Sequence, residues 1–267
     1  NVVADFIFIV ILKMGVEGAA IATLLSQTLT AILTIICFYK QREEIKLQFT
    51  LSIFDTHMFK KILMIGVPAG VQSIVITLSN IIIQSQINSF GVDAIASFTA
   101  YFKIELILYL PIIVLGQALV SFVGQNYGAS QYDRINKGVK YSMIVSVIIT
   151  IIVSALIILN SDMLFGVFTS SKEVMKYGRN IVSITFPFYF LYVILECSSS
   201  KIRGIGISIP PMIITLCSFC GIRIIFLIAL LKKYNSISSI AATYPISWLF
   251  AAVLMGVYAH YTFSKKI

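Results

Sequence analysis

The chain has 267 residues, of which 58% are hydrophobic and only 12% charged, with a formal net charge of +9. Soluble domains carry roughly 25% charged residues, so a water-soluble globular fold is excluded. Apolar runs of about 20 residues with a helical period also exclude a spanning barrel, whose segments alternate over about 10 residues. The fold class is all-α: a polytopic membrane helix bundle of about seven full transmembrane helices plus a truncated one.

Asn1 to Leu12 is apolar but short. As a helix it rises about 18 Å, against a hydrocarbon core of about 30 Å, and reads as the tail of a truncated span. No initiator Met and no basic segment ahead of a cleavage site precede it. Full spans are expected at 18–39, 62–88, 99–123, 139–160, 181–200, 209–231 and 238–262. The links between them are short except for 40–61, which holds Lys40, Arg42, Glu43, Glu44, Lys46, Asp55, Lys60 and Lys61. That link is the expected boundary between two bundles, one ending at residue 39 and the other occupying 62–267.

In the span 62–88, Ser73, Thr77, Asn80, Gln84 and Asn88 fall within roughly one quarter of the helical circumference at about 100° per residue. Polar side chains are unfavourable in hydrocarbon, so this stripe either bonds to neighbouring helices or lines a water-filled solute path. In the next span Tyr101, Glu105 and Tyr109 stack at i, i+4, i+8. A charge at a helix centre costs about 2.5 to 3.5 kcal/mol on the insertion scale. Glu105 is therefore either a cation site or a carboxylate that snorkels or pairs, while Lys103, on another face, reaches for the outer surface.

The span 181–200 puts Tyr189, Tyr192, Glu196 and Ser199 on one face with Arg203. Glu196 is the expected functional carboxylate of the second bundle, able to carry a proton if buried. Its place one turn from Lys201 leaves a plain surface carboxylate as the other reading. Arg223, on the first half of its span, needs a carboxylate or a set of carbonyls, and structural pairing is the expected role.

Lys and Arg set the orientation. With 40–61 cytoplasmic, Arg134, Lys137, Lys140, Lys201, Arg203, Lys265 and Lys266 fall on the same side, and basic residues there outnumber the other side two to one. The C-terminus is then cytoplasmic, in a multi-pass protein of the cell membrane. The positive charge reflects topology and anionic lipid heads, with no nucleic-acid partner required. Cys37, Cys197, Cys217 and Cys220 lie in or at the ends of apolar spans and read as small hydrophobes, with no metal expected. His57 and His260 lie in or beside cytoplasmic segments, and no nucleophile, zinc or phosphate-loop motif is present. No enzyme and no cofactor are expected.

Gly18-Ala-Ala-Ile-Ala-Thr23 and Ser238-Ser-Ile-Ala-Ala-Thr243 each open a span that follows an apolar run with a lone charge, Asp5 and Arg223. This is what a duplicated bundle truncated at the front would show.

Gly66-Val-Pro-Ala-Gly70, Ser89-Phe-Gly-Val-Asp-Ala-Ile-Ala-Ser97, Pro111 followed by Leu115-Gly-Gln-Ala118, and Gly124-Gln-Asn-Tyr-Gly-Ala129 resemble the seventh and eighth helices of multidrug and toxin extrusion (MATE) transporters. Asn1 to Thr23 is similar to that family's fifth-to-sixth helix junction. The resemblance implies twelve helices in two six-helix lobes, with 1–39 ending the first lobe, 40–61 joining the lobes and 62–267 forming the second. It implies export of a small organic solute, cationic and amphipathic, in exchange for H⁺ or Na⁺, with membrane lipid and the missing N-terminal lobe as partners. Lipid-linked oligosaccharide flipping in the same superfamily is the alternative, and a membrane-embedded enzyme a more distant one. The family's Na⁺-coupled branch carries a carboxylate eight residues after the proline of the seventh helix, where this chain has Ile76, and another acid where it has Tyr192. Pro111 and Pro187 are expected to bend their helices.

Overall fold

A computed structural model describes residues 1–40 and 55–266. Most of the charged link, including Arg42, Glu43, Glu44 and Lys46, lies outside the described residues, as do the side chains of Lys265 and Lys266. The chain divides into two units, Asn1–Thr56 and His57–Ile267. Seven helices among the described residues are long and apolar enough to cross a membrane.

The first unit holds a short helix α1 (Val2–Ile11) and the span α2 (Gly15–Lys40). Hydroxyls along α2 are returned to its own backbone: Thr23, Thr28, Thr30 and Thr34 each donate to the carbonyl four residues back at 2.8–2.9 Å. Such back-bonding satisfies an alcohol in apolar surroundings without a second helix.

The second unit contains α3 (Thr56–Asn88), α4 (Val92–Gly128), α5 (Tyr132–Leu159), the short α6 (Ser161–Gly166), α7 (Lys172–Gly204), α8 (Ile209–Tyr234) and α9 (Ile237–Lys266). Most helices run past the hydropathy-based limits, because the backbone repeat continues through charged and polar residues that end the apolar run. Lys60 and Lys61 accordingly ride on the first turns of α3 and not in the link. Between α3 and α4 the chain reverses at Gly91, whose φ of +91° an L side chain rarely adopts. α8 ends at Asn235 in the left-handed conformation, with its N–H bonded to the Leu231 carbonyl.

α7 and α9 are the most enclosed spans, and the C-terminal half of α7 packs on α9, α4 and α5. In lipid, helix association rests on close van der Waals fit and small residues. Ala241, Ala251, Ala252 and Ala259 of α9 and Ser198 to Ser200 of α7 are buried accordingly. α5 turns Ile144, Val145, Ile148, Ile149, Ile152 and Leu156 outward as a lipid-facing stripe.

Two irregular turns shape the interior. Pro187 lies in a 3₁₀ turn, Phe186–Phe188, that interrupts α7 just before Tyr189, whereas Pro111 lies inside α4 with the helix unbroken. In α8 a π turn, Cys217–Ile222, precedes Arg223. α3 meets this turn directly: Ser79 Oγ donates to the Phe219 carbonyl at 2.6 Å, and Cys220 Sγ donates to the Val75 carbonyl at 3.3 Å. One turn away Gln72 Nε2 donates to Thr215 Oγ1 at 3.2 Å. α1 also contains a π turn, Phe6–Ile11, so each of the two similar hexapeptide openings follows a helix of this kind.

Candidate functional site

Helices α3, α4, α7, α8 and α9 line an open cavity of about 330 Å³ within the second unit. Its wall consists of Ile76 and Asn80 from α3, Phe102, Glu105, Leu106 and Tyr109 from α4, Tyr189 and Tyr192 from α7, Phe219 and Arg223 from α8, and Tyr244 and Trp248 from α9. This volume is in the range of small-molecule sites.

Glu105 is the cavity's carboxylate. The helical repeat of α4 stacks Tyr101 four residues before it, and the Tyr101 hydroxyl donates to Glu105 Oε1 at 3.2 Å. Tyr189, set at the start of the helix that follows the 3₁₀ turn, donates to the same oxygen at 3.2 Å. Tyr101 and Tyr189 are themselves fully buried. Among the described residues no cation lies within ion-pair distance of Glu105. Within hydrogen-bond distance the carboxylate is held by two phenols.

Aromatic rings form the floor. Tyr189 meets Trp248 edge-on with centroids 4.9 Å apart, and Tyr192 lies between Tyr109 at 5.9 Å and Trp248 at 6.1 Å. Their π faces supply broad contact area for a flat solute and, through the ring quadrupole, a favourable setting for a cation.

Arg223 is 3% exposed. Its Nε donates to Ser247 Oγ at 2.9 Å, and Ser247 in turn donates to the Tyr244 carbonyl at 2.8 Å. The guanidinium lies 4.4 Å from the Phe219 ring centroid and 4.7 Å from that of Tyr244. The carboxylate or set of carbonyls expected to meet it is replaced by one hydroxyl and two rings. A guanidinium tolerates this because it is weakly hydrated and stacks on aromatic faces.

Of the residues singled out from sequence, Asn80, Glu105, Tyr109, Tyr189, Tyr192 and Arg223 converge on this cavity. The rest of the α3 stripe does not: Ser73, Thr77 and Asn88 are exposed, Thr77 donates to the Ser73 carbonyl, and Gln84 bonds Asn88 on its own helix. Glu196 lies toward the other end of α7, outside the cavity wall, and forms an ion pair with Arg203. Ser200 joins that pair, accepting from Arg203 at 3.1 Å and donating to Glu196 at 3.3 Å. Lys103 is exposed on the opposite side of α4 from the core.

Phe219, Tyr244, Ser247 and Trp248 were not foreseen. A signal for two of them exists: Tyr244 and Trp248 stand at i, i+4 well inside a span, whereas such residues in membrane helices favour the interfaces. Trp248 is the chain's single tryptophan.

The family profile described as MatE matches residues 68–229. Among curated proteins, the chain is 24% identical over 257 residues to "Probable multidrug resistance protein YoeA" of Bacillus subtilis, an alignment covering 95% of this chain and 55% of that protein. It is 27% identical over 224 residues to "Probable multidrug resistance protein NorM" of Thermotoga maritima, covering 84% and 48%. The chain thus spans about half the length of the curated relatives it matches. A solved structure, "Outward-facing conformation of a multidrug resistance MATE family transporter of the MOP superfamily", superposes with a TM-score of 0.91 at 22% identity, over 99% of this chain and 60% of that one. At that identity the likeness speaks for the fold.

Proposed function

Because the chain belongs to the MATE family, a family of membrane transporters, we propose that it is about half of a secondary active efflux transporter that exports amphipathic organic compounds in exchange for H⁺ or Na⁺. The observation that carries this reading is Glu105, a carboxylate without an ion-pair partner among the described residues, in a cavity walled by aromatic rings. A solute cation and the coupling ion would occupy that carboxylate in turn. Ile76 in the cavity wall and the single carboxylate among phenols favour the proton, since a sodium ion prefers several anionic or carbonyl oxygens.

The exposed stripe of Ser73, Thr77 and Asn88 would face a water-filled cleft between this lobe and the missing N-terminal one, because exposed amides and hydroxyls are disfavoured against lipid. The 40–61 link would connect the two lobes on the cytoplasmic side of the cell membrane. Alternating access would rock one lobe against the other.

The test is ethidium efflux by the complete protein in inside-out vesicles under a proton gradient, with parent and Glu105→Gln compared. The expected result is a loss of about tenfold or more, the factor belonging to about 1.4 kcal/mol of lost interaction. Efflux by Glu105→Gln at the parent rate, with the same pH dependence, would remove the carboxylate from the mechanism.

A further inference from the structure

We propose that Arg223 is an acid-reading group, and that the preferred solute of this transporter is a zwitterion: a flat amphipathic molecule with a cationic centre and a carboxylate or comparable oxyanion. The proposal rests on the export reading above and narrows its substrate class.

Arg223 is 97% buried, yet its one hydrogen bond among the described residues runs from Nε to Ser247. The two terminal nitrogens have no hydrogen-bond partner among the described residues, and the side chain lines the cavity. Guanidinium nitrogens present a planar fork suited to a carboxylate or phosphate, and such bidentate contacts are the stronger hydrogen bonds. The rings of Phe219 and Tyr244 lie within 5 Å of the guanidinium carbon and fix the fork's plane without using its donors.

Charge balance points the same way. The cavity wall carries one carboxylate, Glu105, and one guanidinium, Arg223, and no ion pair of 4.0 Å or less joins them. A simple cation would meet Glu105 and leave the fork of Arg223, which lines the same cavity, without a partner from the solute. A zwitterion meets both groups at once, its cation at Glu105 and the tyrosines, its acid at Arg223.

The experiment uses the complete transporter in phosphatidylcholine nanodiscs and two dyes of one skeleton: rhodamine B, which carries a free carboxylate beside its cation, and rhodamine B ethyl ester, a cation only. Binding is read by fluorescence anisotropy for the parent, Arg223→Gln and Arg223→Lys. The parent should bind the acid about tenfold more tightly than the ester, the usual scale for a charge-assisted pair. Arg223→Gln should abolish that preference by weakening the acid about tenfold relative to the ester, and Arg223→Lys should restore part of it.

Equal affinity of the parent for the two dyes would overturn the proposal and leave the export reading standing, and this comparison needs no variant to fold. Equal weakening of both dyes in Arg223→Gln would make the arginine a structural pillar and also overturn it. Failure of both dyes to bind the parent would defeat the export reading together with this one, and binding of the ester but not the acid would overturn this one alone. A lipid phosphate offers the same oxyanion, so the titration is repeated with phosphatidylglycerol added. An acid preference kept in both lipids supports the solute assignment, and one lost with anionic lipid assigns the guanidinium to lipid and overturns it.

Discussion

Two carboxylates of the second unit differ in what holds them. Glu105 accepts from two tyrosine hydroxyls and has no ion-pair partner among the described residues, whereas Glu196 pairs with Arg203, the side chains being 13% and 24% exposed. Gly116 makes room for the latter: a Cβ there would stand 2.5 Å from Glu196 Oε1. Removing the charge from Glu196 leaves a largely enclosed guanidinium whose Nε already has no partner among the described residues. Glu196→Gln should therefore lower stability by about 1 to 3 kcal/mol. Glu105→Gln, which removes a half-buried charge while an amide oxygen still accepts from the tyrosines, should be neutral or slightly stabilising. Thermal unfolding of the two variants in the same detergent decides the matter. A larger loss for Glu105→Gln would mean that its charge, and not only its shape, holds α4 to α7.

At the scale of elements, backbone contact governs where α4 and α7 meet. A Cβ at Gly204 would lie 2.6 Å from Val123 Cβ and 3.0 Å from the Val120 carbonyl, and one at Gly124 would lie 3.3 Å from the Gly204 carbonyl. Gly204→Ala must push the helices apart and should cost about 1 to 3 kcal/mol, the range for overpacking a fitted site. Gly70→Ala, inside α3 with nothing within 4 Å of the added Cβ, should stabilise by about 0.5 to 1 kcal/mol through helix propensity alone. Both are read as shifts in thermal unfolding, and a harmless Gly204→Ala would show that the two helices can separate freely.

These elements also mark how far the sequence was legible. Hydropathy located the spans and the helical repeat located faces, so Tyr101, Glu105 and Tyr109 were readable as one stack, as were Tyr189, Tyr192 and Glu196. A repeat of 3.6 residues says nothing of depth or of the facing helix. That is why one stripe on α7 supplies two rings to the cavity and, further along, a carboxylate to a separate ion pair. The partners of Arg223 come from a π turn and from a helix some 20 residues onward in the chain, which no local pattern announces. The α3 stripe misled in a different way: Gln72 and Ser79, outside it, make the bonds to α8.

For the whole molecule, charge and connectivity bear on orientation together. Short links bring Lys60, Lys61, Arg134, Lys137, Lys140, Lys201 and Arg203 toward one end of the second unit, where Lys201 donates to Asn136 at 2.8 Å and lies 3.7 Å from the Phe263 ring centroid. At the opposite end two basic side chains are met by acids: Arg179 pairs with Asp162, and Lys176 lies 4.0 Å from Glu173. An excess of Lys and Arg marks the cytoplasmic side, and the bias counts positive residues in short loops. The α4–α5 link at Ser130 should then be cytoplasmic and the segment at Ser170, between α6 and α7, external. Both serines are exposed. In the complete protein, with Cys37, Cys197, Cys217 and Cys220 replaced by serine together with any cysteine upstream, Ser170→Cys should react with a membrane-impermeant maleimide added to intact cells. Ser130→Cys should react only after the cells are opened. The reverse pattern would invert the orientation and with it the cytoplasmic assignment of the C-terminus. Labelling of both from outside would mean that the helices between them do not alternate across the membrane as the bundle requires.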